Sequence, residues 1–139
     1  KIYYSSDYGN NFSEINLSSG SAKIEELRMS ADGSVILSLV NDGDDPEIYK
    51  IVDGSLEGTI TPAGRGSIWN MYVSSDCKGI IYRDYGNNLY YSTDQGMFWN
   101  TIPERIAIWP DLYITENMKE VYFHYSFNGK VSVYRWKRY

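Results

Sequence analysis

At 139 residues the chain is long enough to bury one hydrophobic core without a disulfide or metal staple. Its net charge of −5 and isoelectric point near 4.8 exclude a nucleic-acid groove and an anionic membrane surface, since both partners require a basic field. With 14 Tyr, 4 Trp and 12 Gly, the composition is that of short strands joined by tight turns, so an all-β fold is expected.

In chain order the first strand is Ile2-Tyr3-Tyr4, followed by a polar loop and a strand over Ser13 to Leu17. The run Leu27-Arg28-Met29-Ser30-Ala31-Asp32-Gly33 then opens a unit that continues with strands at Val35 to Val40, at Ile48-Tyr49-Lys50 and, poorly formed, at Leu56 to Ile60. The same order returns with Met71 to Asp76, Gly79 to Arg83, Leu89-Tyr90-Tyr91 and Trp99 to Ile102. A last unit has Tyr113 to Asn117, Val121 to Tyr125 and Val133-Tyr134-Arg135.

Taking Leu27, Met71 and Tyr113 as equivalent gives steps of 44 and 42 residues, and the third strands recur at steps of 46, 41 and 44. Four strands in about 42 residues match the blade of a β-propeller, whose sheets bury both faces against their neighbours. The expected organisation is one propeller region over 1–139: a half blade at 1–20, blades at 21–62 and 63–104, and a partial blade at 105–139. Evenly spaced short strands also fit a β-sandwich or β-solenoid.

The loop after the third strand carries the most specific signal. It reads Ser5-Ser6-Asp7-Tyr8-Gly9-Asn10-Asn11-Phe12 in the first copy and Ser92-Thr93-Asp94-Gln95-Gly96-Met97-Phe98-Trp99 later. Both resemble the Asp-box, S-x-D-x-G-x-T-W, of sialidase-like and other BNR-repeat propellers, with Asn11 and Phe98 in place of its Thr. Physically such a loop is a turn staple: the carboxylate accepts backbone N–H groups, Gly permits a positive φ, and the aromatic folds back into the seam between blades. Ser5, Asp7, Gly9, Phe12, Ser92, Asp94, Gly96 and Trp99 are the expected structural set. The resemblance implies that they lie on the face opposite any ligand site, so Asp7 and Asp94 are not read as catalytic acids. In the second copy only Asp53 and Gly54 remain, a turn without its staple.

The opposite face would be built from the loops Asn41 to Asp45, Asp84 to Asn88 and Ser126 to Gly129, and from two crossings, Arg65-Gly66-Ser67-Ile68-Trp69 and Arg105-Ile106-Ala107-Ile108-Trp109. Ligand-binding candidates there are Arg65, Trp69, Tyr85, Arg105, Trp109 and Asn128. A Trp beside an Arg suits a sugar, the ring stacking on C–H faces and the guanidinium holding a carboxylate or hydroxyls. In the other reading, Trp69 and Trp109 pack between blades and the arginines are solvated at the rim. Asp42, Asp44 and Asp45 are too closely spaced for a calcium cage and lack a later bidentate Glu, so neither a metal nor any other cofactor is expected. Cys77, in a polar turn, and His124, in an apolar strand, do not suggest a catalytic pair.

Three functional classes remain open. The first is a non-catalytic module recognising a glycan or protein through this face. The second is a fragment of a sialidase-like glycoside hydrolase, with Arg65, Arg105 and one of Arg28, Arg83 or Arg135 as a triad, for which no catalytic residue is assigned. The third is a structural or assembly module. Aromatics and amides at the site would favour the first, and converging arginines and carboxylates the second. An incomplete run of blades leaves strand edges that invite self-association or further blades from a longer chain. An extracellular or cell-surface location is expected, with no membrane insertion, because no apolar run approaches the roughly 18 residues of a spanning helix. The chain opens on Lys1 without a signal segment, as a processed product or fragment would.

Overall fold

The computed structural model describes residues 1–17, 23–42, 45–64, 66–103, 111–115, 118–127 and 130–137. Strands β1 (Ile2–Tyr4) and β2 (Ser13–Ile15) form a two-stranded sheet. A four-stranded sheet follows from β3 (Lys23–Met29), β4 (Val35–Asp42), β5 (Asp45–Val52) and β6 (Ser55–Ile60). A second comes from β7 (Ile68–Val73), β8 (Ile80–Asp84), β9 (Leu89–Ser92) and β10 (Asn100–Ile102), and β11 (Asp111–Ile114), β12 (Glu120–Phe127) and β13 (Lys130–Lys137) make a three-stranded sheet. Every sheet is an antiparallel meander in which chain neighbours pair. The described chain is thus all-β.

Two expectations need correction. The strand at Leu56 to Ile60 is fully formed and pairs with β5, because Asp53 (φ 47°) and Gly54 (φ 78°) make a tight turn with two left-handed residues. Such turns follow the twist of the strands they join. The last unit is also shifted by one residue. Backbone N–H groups of Ser30, Ser74 and Thr115 donate to the carbonyls of Val35, Gly79 and Glu120, so these three positions correspond. Leu112, not Tyr113, therefore matches Met71; Leu112 and Met71 are buried, and Tyr113 is 64% exposed.

The sheets stack face to face in chain order because alternate residues of a strand point to opposite faces. Ile80 and Tyr82 of β8 join Leu37, Leu39 and Ile48 in one core cluster, while Ile81 between them joins Leu112, Met118 and Val121 in the next. Ile2 and Ile15 close on Ile51 in a third cluster. The inner edges lie side by side: the Glu26 carboxylate accepts the Met71 N–H at 2.7 Å, and Arg28 Nε donates to the Met71 carbonyl at 2.9 Å. Asn41 pairs in the same way with both backbone groups of Ile68. Groups that β7 would leave open at its edge are thus satisfied by side chains of the preceding sheet.

A meander puts its turns at alternating ends. The β3–β4, β5–β6, β7–β8 and β9–β10 turns share one end, and the β4–β5 and β8–β9 loops share the other with the crossings between sheets.

Candidate functional site

At the first end, both Asp-box-like loops form closed hydrogen-bond rings. Ser5 Oγ donates to Asp7 Oδ1 at 2.8 Å and accepts the Gly9 N–H at 2.8 Å, and Asp7 also receives the Asn11 backbone and side-chain N–H groups at 2.9 and 2.6 Å. Ser92 Oγ likewise donates to Asp94 at 2.7 Å and accepts the Gly96 N–H at 2.8 Å, and Asp94 accepts the Phe98 N–H at 3.0 Å. These bonds hold both carboxyls below the usual carboxylate range, chiefly through the backbone N–H of Asn11 and of Phe98. An acid so saturated in its ionised form is a poor proton donor. Trp99 folds back onto the preceding sheet, its Nε1–H on the Thr61 carbonyl at 3.0 Å and its ring edge-on to Tyr82. Phe12 does not: it is 64% exposed, because the described residues put no sheet beneath it.

A second staple, which the motif reading overlooked, closes the β3–β4 and β7–β8 turns. Ser30 Oγ and Ser74 Oγ each donate to an Asp two residues on, Asp32 and Asp76, at 2.6 Å. Its signal was present in the recurring Ser-Ala-Asp and Ser-Ser-Asp.

The other end holds the candidate site, where β7 meets the β8–β9 loop. A register shift between Ile68 and Asn70 makes Trp69 the bulged residue of β7 and turns its ring out of the core. The loop opposite is shaped by Asp84, which is buried and accepts the Asn88 backbone N–H at 2.8 Å and its side-chain N–H at 2.9 Å. Asn87 takes a left-handed conformation (φ 63°), and the Tyr85 N–H reaches the Ser67 carbonyl of the incoming crossing at 3.2 Å. Tyr85 is thereby laid on Trp69, with ring centroids 4.6 Å apart and planes inclined at 27°. Trp69 is 37% and Tyr85 59% exposed, so the outermost surface of the pair is the Tyr85 ring. Beneath them the Arg83 guanidinium lies 5.9 Å from the Trp69 ring centre and contacts Asn70 Oδ1 at 3.5 Å, and its side chain is buried.

Of the ligand-binding candidates, the structure brings Trp69 and Tyr85 together, while Arg65, Arg105, Trp109 and Asn128 lie outside the described residues. Among the described residues, Trp69 is not part of the core cluster that holds Trp99. The three described arginines weighed for a triad are engaged apart: Arg28 with Glu26 and Met71, Arg83 with Trp69 and Asn70, and Arg135 with Glu120. Comparison with protein-family models and with curated proteins returns no match.

Proposed function

We propose that this chain is a run of blades from an Asp-box β-propeller and serves as a non-catalytic module that binds a neutral saccharide on the Trp69–Tyr85 platform. The observation that carries this reading is the aromatic pair itself, built at the loop end of the sheets and held open to solvent by a bulge and a stapled loop. The face-to-face stacking of the sheets and the side-by-side inner edges support the propeller.

A pyranose presents a flat C–H face that stacks on an aromatic ring, and amides complement its hydroxyls. The exposed residues flanking the pair in the β8–β9 loop include Asn87 and Asn88, the latter with its side-chain N–H on Asp84. Arg83 and Asp84, the charges beside them, are buried and engaged by Trp69, Asn70 and Asn88. That balance of aromatics and amides favours a binder over a sialidase-like hydrolase.

The test is a nuclear magnetic resonance titration of the chain with methyl β-glucoside, methyl β-galactoside, methyl β-glucuronide and methyl sialoside, reading the Trp69 indole and Tyr85 ring signals. Neutral glycosides are expected to shift these signals, and Tyr85→Ala to weaken binding about five- to tenfold, equivalent to a stacking contribution of about 1 kcal/mol. Shifts confined to other residues, or none with any glycoside, would reject the platform. Release of aglycone from a chromogenic sialoside would restore the hydrolase.

A further inference from the structure

We infer that Tyr82 is a positioning residue for the Trp69–Tyr85 platform: its buried hydroxyl holds the crossing between the two four-stranded sheets, and that crossing sets one ring against the other. The inference rests on the platform reading above. Tyr82 lies at the centre of β8 with its side chain fully buried in the cluster between those sheets, its ring face to face with Tyr90 at 5.0 Å and edge-on to Trp99. A phenol hydroxyl taken out of water needs a partner. It finds one outside its own sheet, accepting the Gly64 backbone N–H at 2.9 Å. Gly64 lies against Tyr90 as well, since a Cβ there would stand 3.2 to 3.3 Å from the Tyr90 ring and hydroxyl.

From Gly64 the crossing runs beside β8. Gly64 and Ser67 are three residues apart, as are Tyr82 and Tyr85, and the two segments are bonded at both places, with the Tyr85 N–H on the Ser67 carbonyl at 3.2 Å. Between these bonds Gly66 has a left-handed backbone (φ 98°), and a Cβ on it would meet nothing. This glycine adds no packing of its own, so the bonds on either side set the path. Immediately beyond Ser67 the Asn41 side chain brackets the backbone of Ile68, and Trp69 follows as the bulged residue. One short stretch of chain thus carries the Trp69 ring and anchors the loop that carries Tyr85, and Tyr82 fixes where that stretch begins.

The repeat supplies an internal comparison. Ser38 stands opposite Leu27 as Tyr82 stands opposite Met71, and its buried hydroxyl has no hydrogen-bond partner among the described residues. That sheet lacks the aromatic pair too: the residue bulged out of β3 is Glu25, and Asn41, three residues past Ser38, takes the place of Tyr85. In the last sheet Phe123, a ring without a hydroxyl, stands opposite Leu112, and Ser126, three residues on, offers no ring. Among the described residues, the phenol and the platform therefore occur together, in the second four-stranded sheet.

Three variants of the chain are compared with the parent: Tyr82→Phe, which removes the hydroxyl and keeps the ring; Gly64→Ala, which presses on Tyr90 and lifts the crossing; and Ile80→Val, which trims the same buried cluster on the same strand. Two signals need no ligand: the exchange rate of the Tyr85 amide and the nuclear Overhauser effect between the Trp69 and Tyr85 rings. Tyr82→Phe is expected to weaken the ring-to-ring effect, to speed the exchange about fivefold and to weaken methyl β-glucoside binding about fivefold, the equivalent of one ordinary hydrogen bond. Gly64→Ala is expected to act in the same direction from outside the core, and it decides the question should Tyr82→Phe not fold. Ile80→Val, with a comparable fall in melting temperature, is expected to leave all three signals at parent values. A Tyr82→Phe variant that loses stability but keeps the exchange rate and ring contact of the parent would overturn the inference. So would an Ile80→Val variant that loses them to the same extent. If the parent binds no glycoside, the platform reading falls, and the two ligand-free signals still decide whether Tyr82 places the rings.

Discussion

Cys77 has a left-handed backbone (φ 55°), as have its repeat counterparts Gly33 (φ 78°) and Met118 (φ 55°). Glycine adopts this conformation without strain, whereas an L side chain in it costs roughly 1–2 kcal/mol. The two side chains offset that cost by burial: Cys77 joins the cluster between the four-stranded sheets, and Met118 packs into the next, against Gly79. Burial, reinforced by Asp76 and Asp32, pushes the Cys77 thiol up to about 11. The lone cysteine is therefore expected to resist iodoacetamide in the folded chain and to react only on unfolding. Since its folded pKa is raised, it favours the folded state below the ordinary thiol value, and this contribution is lost as pH rises from about 8.5 toward 11. Tyr82, raised to about 12 mainly by burial, extends the loss further up the scale. Melting temperatures recorded between neutral and strongly alkaline pH should fall through that window, and a flat profile would contradict the burial of both groups.

At the scale of the strand and turn, the left-handed pairs Tyr8-Gly9, Asp53-Gly54 and Gln95-Gly96 repeat one geometry at three places. Only at the latter two does the glycine press on the preceding sheet. Gly96→Ala is accordingly expected to cost about 2–4 kcal/mol, combining the left-handed penalty with displacement of Ile60. Gly66→Ala, at φ 98° but facing open space, is expected to cost only the backbone share, about 1–2 kcal/mol. Urea unfolding of both variants measures the difference, and equal losses would mean that the turn does not bear on its neighbour. The strand pattern and the punctuating Asp-Gly and Asp-x-Gly turns were legible in the sequence because hydrogen bonding within a turn is local. The one-residue shift at Leu112 was not, because Leu112-Tyr113-Ile114 is apolar throughout and only the closing bond at Thr115 fixes its register.

Across the whole molecule, four aspartates do the same work at one end of the stack. Asp7, Asp32, Asp76 and Asp94 all sit below the usual carboxylate range through hydrogen bonds from their own turns, and Asp32 reaches about 2. A carboxyl depressed in the folded state favours folding above its unfolded pKa, and the contribution disappears as pH falls through the folded value. Acid unfolding followed by circular dichroism is thus expected between about pH 4 and pH 2, with the turns at this end exchanging their amides first. The saccharide platform lies at the other end, and its loop is expected to hold until the global transition. Loss of the platform signals well above pH 4 would show that the two ends do not share one cooperative unit.

The sequence alone determined the all-β class, the recurrence of strands and the stapled turns, since these rest on side-chain alternation and on contacts within a few residues. Tertiary structure decided the fate of each aromatic. Trp99 and Phe12 occupy one motif position, yet one is bonded into a seam and the other is exposed, according to whether a sheet lies beneath. Trp69 read more readily as a seam residue than as a surface one, and the bulge in β7 and the loop stapled by Asp84 carry it to the surface beneath Tyr85. The physical reason is the range of the forces: a turn closes on its own hydrogen bonds, whereas burial of a ring depends on which distant strand arrives to cover it.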